Sequence, residues 1–371
     1  MKKKLLPIIL ALALSLPSWA QQWVSTKGEG PSSLRTELVS SSEASILVRL
    51  QVPGFYANSV TTPRGEAFQI TVPRTVSTFD AGEPQLPIYA IPAIIGDNAL
   101  MQVRIKDAQY IDFENYEVAP SKGDFPRTID PDDVAYTYGP SYSNDAFFPE
   151  QQVGLYEPYI LRDFRGQNMV VYPFAYNPIT KILRVYYDIT VEMYRTGTGG
   201  ENQLARKSND IRIDQEINAI YDEHFINFGT VMNRYTPMNE TGELLIICHD
   251  AFMGAMEPFV NWKKQIGRPT TMVGTSTAGN SYSAIQTYIQ NQYNANNNIS
   301  HVLLVGDVAQ IPGVPYTAGS GYYNYSGKSD NIYGQVVGND LYNDIIVGRF
   351  SAENETHVTT QVNKVIHYER D

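Results

Sequence analysis

The chain has 371 residues, long enough for two domains that each bury a core. With 43% apolar and 18% charged residues it is globular, which excludes a disordered polymer. Its 28 basic against 39 acidic residues give a formal charge of −11, and no basic stripe follows a phosphate backbone, so nucleic acid is not an expected partner.

Lys2-Lys3-Lys4 precede an apolar run from Leu5 to Leu16, and Ser18-Trp19-Ala20 supply small residues for a signal peptidase. Residues 1–20 therefore read as a secretory signal. The run is shorter than the roughly 20 apolar residues of a membrane span. No later stretch is long enough, so the mature chain is expected to be exported, secreted or at the cell surface, with no transmembrane segment.

Residues 21–195 read as β-rich, with Tyr, Val, Ile and Thr alternating with polar residues between Pro and Gly. The clearest piece is a hairpin with arms Asn168–Tyr176 and Ile182–Tyr194, turning at Asn177-Pro178-Ile179-Thr180. Val185, Tyr187, Ile189, Val191 and Met193 are expected on its buried face. A Gly-rich stretch opens a flexible linker over 196–210. A helix is expected from Glu216 to His224.

From Glu243 strands alternate with helices. Leu244–Cys248, Thr270–Val273, Val302–Val305 and Ile345–Val347 read as buried strands. Ala255–Gln265, Ser281–Tyr293 and Glu353–Tyr368 read as helices, the first with Trp262 and Ile266 turned inward, the second with Ile285, Tyr288, Ile289 and Gln292 on its inner face. Pro258 is expected near a first turn. This β-α-β pattern gives a parallel sheet covered on both faces, and it stops after a helix, so the α/β domain is expected to be incomplete. Gly319-Ser320-Gly321 has no strand expected before it and no helix after it, which argues against a phosphate cradle.

Cys248 is the one cysteine. It sits inside an apolar strand, and neighbouring strand residues point to opposite faces, so His249 cannot serve as its base. Asp307 follows one apolar run, and Asp340 and Asp344 precede the next. The carboxyl ends of parallel strands are where α/β proteins place ligands, and all three acids are expected there. On the residues alone they fit solvated turn acids.

Several strings together resemble the gingipain family of secreted cysteine endopeptidases, above all its arginine-specific branch. They are Pro258-Phe259-Val260-Asn261-Trp262-Lys263-Lys264-Gln265, His301-Val302-Leu303-Leu304-Val305-Gly306-Asp307, Tyr333-Gly334-Gln335-Val336-Val337-Gly338-Asn339-Asp340, Gly348-Arg349-Phe350 and Ile366-His367-Tyr368-Glu369-Arg370. Gly82-Glu83-Pro84-Gln85-Leu86-Pro87 resembles the family propeptide more loosely.

The resemblance implies a signal peptide (1–20), a β-rich propeptide (21–234) and the first part of a caspase-like α/β peptidase domain (235–371). It implies a zymogen whose prodomain assists folding of its own catalytic domain and blocks it, with proteins and peptides as substrates. The His/Cys dyad is expected beyond Asp371, and no residue of 1–371 is assigned a catalytic role. Calcium is implied at Asp307, Asp340 and Asp344 with the carbonyls of Val337 and Tyr342, in keeping with an ion that takes about six to eight hard oxygens. Propeptide cleavage is implied between Arg234 and Tyr235. The loop carrying Lys122 and Arg127 is expected to offer a basic side chain to the specificity pocket. The competing expectation is a non-catalytic exported protein that binds proteins or calcium and lacks the dyad.

Overall fold

The computed structural model describes residues 22–206, 212–232, 236–237, 241–320 and 323–370. The first of these stretches folds into three antiparallel sheets. Gln22–Ser25, Gly54–Thr62 and Gly65–Thr71 form one. Arg35–Ser41, Ser45–Gln51, Ala99–Phe113, Phe174–Asn177 and Ile182–Thr198 form another. Val76–Ser77, Pro87–Ile94, Val153–Leu155, Tyr159–Leu161 and Phe164–Val171 form the third. The second and third face each other, with Val48, Leu50 and Val191 meeting Ile91, Ala93 and Met169 in one core.

The long strand Ile182–Thr198 alternates as expected: Leu183, Val185, Ile189, Val191 and Met193 are buried. Tyr187 is a correction. The register shifts between Tyr186 and Asp188, and the extra residue turns Tyr187 away from the core, where its hydroxyl meets Gln109 Oε1 at 2.8 Å. The other arm, expected to be continuous over 168–176, is two strands. Phe164–Val171 pairs with Pro87–Ile94, and Phe174–Asn177 pairs with Ile182–Val185. Pro173, between them, has no N–H for a ladder.

The expected flexible linker is also corrected over its described part. Arg165, which is fully buried, donates to the carbonyls of Gly96, Ala99, Gly199 and Glu201, so the Gly-rich stretch is pinned to the sandwich.

Residues 243–370 contain a sheet of four parallel strands in the order Thr270–Gly274, Glu243–Cys248, Ile299–Val305, Ile346–Phe350. Alternation along the central strands feeds both faces. Leu244, Ile246, Leu303 and Val305 meet the helices Met253–Gln265 and Glu355–Arg370. Leu245, Ile247, Val302 and Leu304 meet the helix Tyr282–Ala295 through Ile285, Ile289 and Tyr293. Gln292 is not among the buried residues of that helix. Ile266, expected inward, lies past the end of its helix and is exposed. That helix starts at Met253, two residues early, which moves Pro258 from the first turn into the interior. A hairpin, Val314–Ser320 with Tyr323–Ser329, interrupts the third crossover. A strand therefore does precede Gly321, contrary to expectation, and the next element is the second arm of the hairpin, not a helix.

Replacing Arg165 by Met should take a donor from the carbonyls of Ala99, Gly199 and Glu201 and lower the stability of the β-rich half by about 2–4 kcal/mol, read as the shift in a urea or thermal unfolding transition.

Candidate functional site

The features that bear on function meet at the seam between the β-rich half and the parallel sheet. Tyr159–Leu161 and Phe164–Val171 pair as a hairpin joined by the two residues Arg162 and Asp163. Arg162 has φ 52°, a left-handed conformation that costs a non-glycine residue about 1–3 kcal/mol unless its surroundings enforce it. The surroundings do. Its backbone N–H donates to Asp344 Oδ1 at 2.7 Å, and its guanidinium donates to the carbonyls of Ile299 (2.6 Å), Asp344 (3.2 Å) and Asn297. Behind the turn, the Tyr221 hydroxyl donates to Asp163 Oδ2 at 2.7 Å. Arg162 is only 6% exposed.

The other side of the seam is the loop before the fourth parallel strand. Asp344, 2% exposed, accepts at Oδ2 from the N–H groups of Val336 (2.9 Å) and Val337 (2.7 Å) as well as from Arg162. Burial pushes its carboxyl up to about 7 although those N–H groups pull it down. Asp340 accepts from Ile160 N–H at 2.8 Å and Tyr342 N–H at 2.9 Å, and burial also raises its pKa. Gly338 lets the loop close on the hairpin: it has φ 78°, and a Cβ there would sit 3.1 Å from Ile160 Cδ1. Tyr342 stacks on Tyr159 with centroids 3.8 Å apart, and the Tyr159 hydroxyl lies 2.7 Å from His224 Nε2.

The residues of the expected calcium set lie at two places in the sheet. Asp340 and Asp344 do share a loop, but it lies at the amino end of the sheet, where Ile346 pairs with His301. Asp307 follows Val305 at the carboxyl end, where it accepts from Ser351 Oγ at 2.8 Å, a bond that lowers its pKa. The strand Ile299–Val305 separates the two ends by roughly 20 Å. The four oxygens of Asp340 and Asp344 are already acceptors for backbone N–H groups. Among the described residues no three acids, histidines or cysteines come together to hold an ion. Asp307 thus lies at the opposite end of the sheet from Val337, Asp340, Tyr342 and Asp344.

Of the basic loop residues, Lys122 is engaged within its own loop, donating to the Pro131 carbonyl at 2.7 Å and lying over the Tyr136 ring. Arg127 is exposed. Arg234 and Tyr235, like residues 1–20, lie outside the described residues. The segment beside them is bracketed by parallel pairing of Arg212–Ile213 with Thr236–Pro237. Cys248 is fully buried, its Sγ faces the His249 carbonyl, and burial pushes the thiol up to about 12. A thiol so held is no nucleophile.

A second contact joins the halves. Glu216, at the start of the helix Gln215–His224, takes both Arg268 nitrogens at 3.1 and 2.9 Å. Arg268 in turn donates to His301 Nδ1 at 2.7 Å. Sequence reasoning missed Arg162, Tyr159, Glu216 and Arg268. A charged two-residue turn between apolar arms, Leu161-Arg162-Asp163-Phe164, was the only visible signal.

Residues 25–233 match the family model described as Propeptide_C25, and residues 238–371 match that of Peptidase family C25. Gingipain R2 of Porphyromonas gingivalis is 34% identical over 378 residues, covering 100% of this chain and 49% of the relative. Gingipain R1 of the same organism is 36% identical over 340 residues, covering 90% of this chain and 33% of the relative. The chain thus spans about half, or less, of the curated relatives it matches. Among solved structures, the complex of Porphyromonas gingivalis RgpB pro- and mature domains is 31% identical, with TM-score 0.48, covering 52% of this chain and 97% of that one. The Arg specific cysteine proteinase gingipain R is 35% identical, with TM-score 0.30, over 36% of this chain and 30% of that one.

Burial of His301 beside Arg268 makes the fold acid-sensitive. Burial first, and Arg268 second, depress His301 from 6.5 to about 4, so the native ring stays neutral where an unfolded one takes a proton. The unfolded state then binds more protons between about 6.5 and 4, and stability falls as the pH drops through that window. The loss should be on the order of 2 kcal/mol, and His301→Gln should flatten the unfolding midpoint against pH over the same interval.

Proposed function

We propose that this chain, which belongs to peptidase family C25 through its propeptide and the start of its peptidase domain, is the zymogen portion of an exported cysteine endopeptidase. The observation that carries the reading is the succession of the two family matches across a seam that is itself buried and hydrogen-bonded. A prodomain so seated is placed to assist folding of its peptidase domain and to hold it latent. Proteolysis in such a family member proceeds by attack of a thiolate on the peptide carbonyl while an imidazole moves protons. Cys248 is unsuited to that role, so the working dyad is assigned to the part of the peptidase domain that follows Asp371 in a full-length member.

Substrates are polypeptides cut after arginine, a preference drawn from the higher identity to gingipain R1 and R2 than to Lys-gingipain, at 22%. The same preference makes Arg234–Tyr235 the maturation bond. Arg127, exposed and basic, is the loop residue suited to occupy the specificity pocket, whereas the Lys122 ammonium is spent inside the loop. Export rests on the signal-like residues 1–20, and no described helix is long and apolar enough to cross a membrane.

Residues 21–371 alone should hydrolyse no arginyl peptide. Hydrolysis by that piece, abolished in Cys248→Ala, would overturn the assignment. In a precursor extended to the length of the relatives, activity should appear with cleavage after Arg234 and be absent in Arg234→Ala. Arg127→Ala should raise the activity of the uncut precursor several-fold; an unchanged rate removes the loop from the mechanism.

A further inference from the structure

We propose that Arg162, with Tyr159 beside it, anchors the prodomain to the peptidase domain after the connecting segment is cut, and that the Arg127 loop takes no part in the holding. The proposal rests on the reading above that the segment around Arg234 is cut, and it separates two tasks which that reading leaves together.

The contacts between the halves differ in kind, and lesser ones, such as the Asn339 N–H to Asn202 Oδ1 and Asn168 to the Tyr342 hydroxyl, also cross the seam. The parallel pairing of Arg212–Ile213 with Thr236–Pro237 flanks the cut but is two residues long, too short to persist without its covalent tether. The Glu216–Arg268 pair is bidentate, yet Glu216 is 36% exposed, where solvent and salt weaken it. Lys122 and its loop make their hydrogen bonds inside the prodomain, to Pro131 and through Ser121 to Gly82 and Gly123.

The hairpin turn is different. Arg162, 6% exposed, reaches into the amino end of the peptidase sheet and donates to the carbonyls of the buried Ile299 and Asp344 and of Asn297 at the rim. Withdrawing the guanidinium removes a donor from the carbonyls of the buried Ile299 and Asp344, the situation in which truncating one interface residue costs most. Lysine cannot replace it, since an ammonium on a flexible stem lacks the planar fork that spans separated acceptors. Tyr159 adds a second contact across the seam, stacked on Tyr342 with centroids 3.8 Å apart.

The test uses the full chain with residues 233–235 replaced by the recognition sequence of a site-specific protease. After cutting, co-elution of the two pieces on size exclusion and their dissociation on dilution are measured. The wild-type pieces and the Arg127→Ala pieces should stay together. The Arg162→Ala pieces should separate, with affinity weakened on the order of 30-fold or more, and Arg162→Lys should fall between. Retention of Arg162→Ala at the wild-type level, or separation of Arg127→Ala, overturns the proposal. Should Arg162→Ala fold poorly before the cut, Arg162→Lys and Tyr159→Leu decide, and wild-type affinity in both overturns it. Wild-type pieces that drift apart also overturn it. Because the readout is physical retention and not hydrolysis, failure here is distinct from failure of the peptidase assignment.

Discussion

A parallel sheet ends in carbonyls and N–H groups that its own ladder does not reach, and a buried end must find partners elsewhere. In this molecule a residue from the other half supplies them. The Arg162 guanidinium covers three carbonyls at the amino end of the sheet, and Asp344 returns the favour by accepting the Arg162 backbone N–H. Burying a guanidinium is costly even with Asp163 Oδ2 3.6 Å from its Nε, and so is a left-handed arginine. Both costs are met only while the two halves stay docked. The conformation of the hairpin and the order of the loop carrying Asp340 and Asp344 are therefore one arrangement seen from two sides.

That coupling engages two carboxylates as acceptors for backbone N–H groups from both halves. A carboxylate with both oxygens facing backbone N–H groups is a structural clasp for a loop. Asp344 gathers Val336, Val337 and Arg162, and Asp340 gathers Ile160 and Tyr342. Each draws one donor from the prodomain, so the loop is shaped partly by a neighbour outside its own sheet.

Much of the fold was legible because local patterns carry it. Apolar runs at Leu244, Val302 and Ile345 located three of the parallel strands, and the period along Ile182–Tyr194 located the spine of the sandwich. The position of the acids could also have been read. In a parallel sheet residues before one strand and residues after its neighbour lie at opposite ends, which separates Asp344 from Asp307 by chain order alone. Other features were not legible, each for a physical reason. The bulge that expels Tyr187 depends on how Ala99–Phe113 registers against it. The pinning of the Gly-rich stretch depends on an arginine some thirty residues earlier, Arg165. Arg162 reads in sequence as an ordinary turn residue, because its acceptors lie more than a hundred positions away.

Among the described residues the fourth parallel strand, Ile346–Phe350, is paired on one side only, through Ile299–Val305. Its free flank presents a row of backbone donors and acceptors together with the exposed Ile346. Such a border is a template. A further strand of the same polypeptide can zip onto it and widen the sheet, and where none is supplied, the same border invites strangers and leads to clumping.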